Sequence, residues 1–274
     1  MSFVLRESSP QRLQKFCWSK LKLLRLTKKT KVAVLTGAGI SAESGVPIFR
    51  GKGSLWEIPE ARRLAERAGP PWNDRGTWEF YEWRRQLVKK CQPNPAHLTL
   101  AEMEDWFEDF TLITQNVDGL HQRAGSRRVF ELHGSMWRGR CEECGHVEEL
   151  QETPLPELPP LCKCGNALRP DVVQFGEPVK QEALRGGILA AKRCDLFLVI
   201  GTSAVVYPAA ELPLIALQRG AVVLEINPTE TPLSGLVTRS YRGKAGEILP
   251  DLWRTWKEVL KSREEVSFDK DDSL

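Results

Sequence analysis

Lys31-Val32-Ala33-Val34-Leu35-Thr36-Gly37-Ala38-Gly39-Ile40-Ser41-Ala42 decides how the chain is read, because a continuous apolar run breaks directly into a G-x-G-x-x-A string. An unbroken apolar run of this length reads as a strand buried on both faces. Glycines behind such a strand let backbone approach a pyrophosphate, and the helix that follows favours its charge at its N-terminus. A Gly-rich structural turn would look the same. The dehydrogenase form also needs an acid closing a second strand about 20 residues on. Here Lys52 to Glu60 carries Glu57 and Glu60 in loop-like sequence with no strand before them, so the hydride-transfer fingerprint is incomplete.

Working outward, four more β-rich runs end in small or polar residues: Phe110 to Gln115, Val129 to His133, Leu196 to Gly201 and Ala221 to Asn227. Helical patterns lie between several of them, over Gly76 to Cys91, Ala96 to Trp106 and Gln181 to Arg193. This alternation predicts an α/β fold with a Rossmann-like, doubly wound parallel sheet. Such sheets bind ligands outside the carboxyl ends of their strands. Thr36-Gly37, Gln115-Asn116, His133-Gly134, Gly201-Thr202-Ser203 and Asn227 all fall at that edge.

Residues 134–170 interrupt the pattern with four cysteines and a Pro-rich stretch, Thr153 to Pro160, and read as a small inserted zinc-ribbon module. The sheet domain is then expected over 31–133 and 171–261. Cys-x2-Cys, 17 intervening residues and Cys-x-Cys supply Cys141, Cys144, Cys162 and Cys164. Four thiolates suit tetrahedral zinc with no open position, hence a structural site. His146 is then a bystander, and Cys17, Cys91 and Cys194 read as buried structural thiols.

Of 274 residues, 39 are Lys or Arg and 36 Asp or Glu, a net charge of +3. Residues 1–31 hold nine of the bases and one acid, so this segment is +8 and the rest −5. Leu13, Phe16, Cys17, Leu21 and Leu24 share a helical face, predicting a basic surface helix over 1–30, although targeting leaders share this composition. No apolar run approaches the roughly 20 residues that span a bilayer, and no secretory h-region opens the chain. A cytoplasmic protein is expected, with the mitochondrial matrix as the alternative that the basic leader keeps open. Neither membrane nor specific nucleic-acid binding is expected. The acidic end, 262–274, reads as a solvated, disordered tail.

His133 follows a strand in Phe130-Glu131-Leu132-His133-Gly134-Ser135, beside the Gln115-Asn116-Val117-Asp118 strand end. Together they offer imidazole, amide and carboxylate groups at one edge, although a lone histidine is more often structural. His97 and His121 read as helix or loop surface residues.

These pieces, in this order, resemble the sirtuins, NAD-dependent protein deacylases. The matching stretches are Gly37-Ala38-Gly39-Ile40-Ser41 with Gly45-Val46-Pro47-Ile48-Phe49-Arg50, Thr114 to His121, Glu131-Leu132-His133-Gly134, the four cysteines, Arg169-Pro170-Asp171-Val172-Val173, Phe175-Gly176-Glu177, Gly201-Thr202-Ser203 and Asn227. The resemblance implies that Gly37, Ala38, Gly39, Ser41, Pro47, Phe49, Arg50, Gln115, Asn116, Asp118, Gly201, Thr202, Ser203 and Asn227 surround NAD, and that Ala245 closes its adenine side. It implies that His133 is the general base on a ribose hydroxyl, with Asn116 and Asp118 beside it in the catalytic group. Val173, Phe175, Gly176 and Glu177 would line the acyl-lysine tunnel of a protein substrate, where Gln174 stands in place of the family's common Trp. Nicotinamide, free lysine and O-acyl-ADP-ribose would be the products. The sirtuins that remove succinyl, malonyl and glutaryl groups carry a Tyr-x-x-Arg here matched by Tyr81 and Arg84, with a small residue matched by Ala65. Glu66-Arg67-Ala68-Gly69 departs from the family's commoner Thr-Pro. Mono-ADP-ribosyl transfer on the same scaffold and a non-catalytic NAD-binding interaction module are the competing readings.

Overall fold

The computed structural model describes residues 26–49, 51 and 53–271. Arg50 and nearly all of the expected N-terminal helix lie outside the described residues. Five strands foreseen from apolar runs form: β1 (Val32–Thr36), β2 (Phe110–Thr114), β3 (Val129–Glu131), β7 (Leu196–Ile200) and β8 (Val222–Asn227). With β9 (Arg239–Arg242) they make one parallel sheet in the order β3-β2-β1-β7-β8-β9. Every residue of β1, β2, β7 and β8 is buried, the reason their runs are mostly apolar, broken only by threonines in β1 and β2 and by Glu225 and Asn227 in β8.

Helices cover both faces. On one, α1 (Ala38–Ala42), α4 (Pro95–Trp106) and α8 (Ala245–Asp271) pack through Ile40, Leu100, Met103, Leu249 and Trp253. On the other, α6 (Gln181–Arg193) and α7 (Leu212–Gln218) pack through Ala183, Ala190, Leu212 and Ala216. β1 is flanked by β2 and β7, and the connections leave it in opposite directions across the sheet. The switch point opens at its carboxyl end, where Gly37 begins.

A second, antiparallel sheet of order β5-β4-β6 is formed by β4 (Gly134–Arg140), β5 (Val147–Glu149) and β6 (Arg169–Val172). It carries the cysteine pairs at its outer end. Two further helices, α2 (Pro59–Ala65) and α3 (Arg75–Lys89), belong to this lobe by packing, although the sequence reading puts them with the large sheet. Buried Trp78 donates its indole N–H to the Leu168 carbonyl at 2.6 Å and packs against Cys141 and Cys162. Arg85, 0% exposed, donates to the carbonyls of Met136 and Leu150 at 3.1 and 2.7 Å. A guanidinium buried this way costs desolvation that these acceptors and the Glu82 carboxylate, 3.3 Å from Arg85 Nε, offset.

The last helix continues to Asp271, through the segment expected as a disordered tail from 262. Residues 262–271 contain no Gly or Pro to stop it, and Glu, Lys and Arg sustain a helix that packing has already nucleated. Among the described residues no helix is long and apolar enough to cross a membrane.

Candidate functional site

Three glycines lock the β1 turn. A Cβ on Gly39 would stand 2.7 Å from the Gly201 carbonyl oxygen, and one on Gly201, at φ +61°, would stand 2.3 Å from the Ile40 nitrogen. Gly39 N–H donates to that Gly201 carbonyl at 2.8 Å. The first demand on these glycines is therefore that the β1 and β7 loops touch, which opens a cleft in front of both. Thr202, behind Gly201, accepts from the Gln115 side-chain amide at 2.9 Å, joining β7 to the end of β2. Ser203 is exposed.

Asn116 and Asp118 sit just past β2 and are buried. Asn116 Nδ2 donates to the Gly37 carbonyl and to Ser41 Oγ, both at 3.1 Å. Ser41 Oγ donates to Asp118 Oδ2 at 2.7 Å, and Leu120 N–H donates to Oδ1 at 2.9 Å. Burial raises the Asp118 carboxyl from its ordinary range, opposed by those two hydrogen bonds and by Arg84 and Arg123. The network ties the glycine turn to the β2 loop.

His133 lies in the turn between β3 and β4, half-buried. Its Nδ1 is 2.9 Å from the Gln115 carbonyl oxygen. A carbonyl only accepts, so Nδ1 carries the proton and Nε2 keeps a free lone pair in the neutral ring. Desolvation lowers the His133 pKa from its ordinary value, against the raising effect of that bond. A neutral imidazole with an available Nε2 is what a general base near pH 7 requires.

The 173–180 segment is hung from the same turn: Val173 N–H donates to the His133 carbonyl and Lys180 N–H to the Leu132 carbonyl, at 2.9 and 3.0 Å. Within it Phe175 is 84% exposed. Glu177 does not face out with it, since both its oxygens accept from Arg169, at 2.8 and 2.9 Å. Its Oε2 also accepts from Gln174 N–H at 2.9 Å. Arg169, 2% exposed, reaches Glu142 between Cys141 and Cys144 as well, linking this segment to the cysteine turn.

Tyr81 and Arg84 point from one face of α3 into the cluster that includes Ala65, Phe80, Val117 and Val172. The Arg84 guanidinium is 5.2, 5.6 and 5.4 Å from the ring centres of Phe49, Phe80 and Tyr81. It is 8% exposed, and the acid that acts on it electrostatically is buried Asp118, which already accepts from Ser41 and Leu120. Burial accordingly pulls its pKa down. Pro47 is half-buried in the loop before Phe49.

At the far side, Asn227 ends β8 with Nδ2 donating to the Thr229 carbonyl at 2.9 Å, and Ala245 is buried in the same core cluster as Ile40. Two residues escaped the sequence reading: His97 and His121 are 0% and 1% exposed, not superficial. His121 Nε2 is 2.9 Å from Thr36 Oγ1, and the two rings meet at a tilt of 54° with centres 4.8 Å apart, His97 Nε2 lying 3.4 Å from Ser41 Oγ. The Asn94-Pro95-Ala96-His97 capping box, in which His97 Nδ1 accepts from Asn94 N–H, was the available signal.

The four cysteine sulfurs lie within 4.8 Å of one another, with Cys141–Cys164 and Cys144–Cys162 at 3.6 Å. Tetrahedral zinc with bonds of about 2.3 Å sets sulfurs about 3.8 Å apart, so the cluster fits that ion. The cleft's amides, hydroxyls and single buried carboxylate likewise suit the ribose and amide groups of NAD.

The Sir2 family profile matches residues 37–208. An NAD-dependent protein deacylase of Aquifex aeolicus is 49% identical over 233 residues, covering 85% of this chain and 98% of the relative. One from Mycobacterium tuberculosis is 47% identical, covering 84% and 100%. Among solved structures, a Sir2 homologue–NAD complex superposes with a TM-score of 0.73 at 41% identity, covering 94% of this chain and 97% of that one. A Sir2 complex with a p53 peptide and NAD+ does so at 0.67 and 33%, covering 88% and 98%. With this fold, this cleft and these relatives, the chain belongs to the Sir2 family.

Proposed function

We propose that the chain is an NAD-dependent protein-lysine deacylase that favours acyl chains ending in a carboxylate. Bound NAD would supply a ribose carbon whose bond to nicotinamide breaks as the acyl oxygen attacks it, and water completes acyl transfer to ADP-ribose with release of free lysine. His133 takes the ribose hydroxyl proton on Nε2, the nitrogen that the Gln115 carbonyl leaves free. Asn116 and Asp118 brace the glycine turn through Ser41 and keep Gln115 in line with it. Gly37, Ala38, Phe49, Ser203, Asn227 and Ala245 border the nucleotide, and Val173, Phe175 and Gly176 border the acyl-lysine. Cys141, Cys144, Cys162 and Cys164 hold zinc away from the chemistry, a setting that a reducing cytoplasm preserves.

The observation that carries the activity is His133 with its tautomer fixed at the ligand edge. For acyl choice it is Arg84, a buried cation among three rings whose acidic neighbour, Asp118, is already engaged by Ser41 and Leu120. A carboxylate entering there would meet a planar fork and the Tyr81 phenol. The test is purified protein with NAD and matched acetyl-, malonyl-, succinyl- and glutaryl-lysine peptides. Higher kcat/KM for the three acidic acyl groups, with free lysine formed in step with nicotinamide, supports the reading. ADP-ribose attached to protein would instead support a transferase, and binding without nicotinamide release an inactive module.

A further inference from the structure

Gln174 interrupts the sirtuin pattern, and its side chain reaches into the acyl pocket. Its Nε2 donates to Tyr81 Oη at 3.0 Å, whereas the reverse arrangement, phenol to Oε1, spans 3.4 Å. The Val172 carbonyl lies 3.5 Å from the same Nε2, and a carbonyl on that side calls for the NH2 group there. The main chain is also held, since Gln174 N–H donates to Glu177, which is clamped by buried Arg169. A fixed amide therefore stands beside Tyr81, itself 4% exposed.

We propose that Gln174 is a positioning residue for acidic acyl chains: by donating to the Tyr81 phenol oxygen it fills one lone pair and turns the phenol proton toward the space in front of Arg84. A phenol that accepts one hydrogen bond becomes a better donor of its own. The Tyr81 proton then meets a carboxylate that Arg84 neutralises, while an acetyl group leaves it without a charged acceptor. This inference rests on the acidic-acyl reading of Tyr81 and Arg84 and adds the residue that orients one of them.

The experiment measures kcat and KM for succinyl- and acetyl-lysine peptides in the full chain and in Gln174→Met, Tyr81→Phe and the double variant. Methionine keeps the length and loses the donor. Gln174→Met is expected to raise KM for succinyl-lysine about threefold to tenfold, the worth of one net hydrogen bond, with kcat and the acetyl-lysine constants within about twofold. In the Tyr81→Phe background the same change should have no further effect on succinyl KM, because the group it orients is gone. An unchanged succinyl KM in Gln174→Met, or an equal rise with and without the Tyr81 hydroxyl, overturns the proposal. If wild-type protein shows no succinyl preference, the acidic-acyl reading fails first, a distinguishable result. Should Gln174→Met fold poorly, Gln174→Glu serves. Its carboxylate would capture the phenol proton and repel the substrate's charge, so a selective succinyl loss is expected, and equal loss for both acyl groups would overturn the inference.

Discussion

Replacing Arg84 with methionine should move stability and succinyl affinity in opposite directions. The guanidinium is 8% exposed, so its desolvation opposes folding, offset in part by the attraction of buried Asp118. Three aromatic rings at 5.2 to 5.6 Å give back part of that cost, at about 0.5 to 2 kcal/mol each for cation–π contacts. Methionine fills a similar volume among Phe49, Phe80 and Tyr81 without a charge to desolvate. The expected net change without substrate is about 0 to 2 kcal/mol in favour of folding, or a Tm rise of at most about 8 °C at roughly 2 to 4 °C per kcal/mol. The succinyl carboxylate, in contrast, loses a charge-assisted pair worth about 1.5 to 3 kcal/mol, so its KM should rise roughly 10- to 150-fold. The loss should fall on KM and spare kcat, because the distal carboxylate is bound alike in ground and transition states. Thermal melting and steady-state kinetics on succinyl- and acetyl-lysine peptides measure both sides. A variant that melts several degrees lower while keeping its succinyl KM would refute the reasoning, since Arg84 would then be a structural cation.

His133→Ala should lower kcat/KM by at least about 100-fold while leaving NAD binding by calorimetry largely intact, and near-normal turnover would refute the general-base assignment. Because burial lowers the His133 pKa, the acid limb of kcat/KM should fall below pH 6.5; a midpoint above 7 would contradict the environment described. His97, held at about 4, and His121, held well below 6.5, are neutral when folded and take up protons when unfolded. Their contribution is complete above pH 6.5 and fades as pH falls through the range below it, by roughly 1 kcal/mol at pH 5.5 for His97 and in the same direction for His121. A Tm that rises between pH 7.5 and 5.5 would count against it. Metal analysis should find one zinc per chain, with Cys162→Ser losing the metal and melting earlier; less than about half occupancy in fresh wild-type protein would refute the site.

The large sheet was legible because strands buried on both faces must be mostly apolar, and β1, β2, β7 and β8 are, Glu225 of β8 being the one buried charge, held by Ser234 and Arg242. β9 was not, since Arg239-Ser240-Tyr241-Arg242 lies at the sheet edge and needs no such run. Membership of α2 and α3 in the small lobe was hidden for another reason. Trp78 and Arg85 look like ordinary members of an amphipathic helix, and only the fold reveals that their partners are Leu168, Met136 and Leu150. The cysteine cluster was readable from spacing alone, because coordination geometry limits how far apart ligands may fall. His133 was ambiguous in isolation, and what fixes its tautomer is a main-chain carbonyl, Gln115, whose direction no sequence pattern encodes. Gln174 could be seen as a departure from the sirtuin pattern, yet its contact with Tyr81 crosses 93 residues and needed the structure.

The central claim is that acyl removal consumes NAD at a site built around His133. Purified chain mixed with NAD and a succinyl-lysine peptide, quenched within one turnover and resolved by mass spectrometry, tests it most directly. Equal amounts of nicotinamide, free-lysine peptide and O-succinyl-ADP-ribose are expected, all three absent with His133→Ala. Free lysine formed without nicotinamide, or nicotinamide released with the succinyl group still on the peptide, would contradict the account.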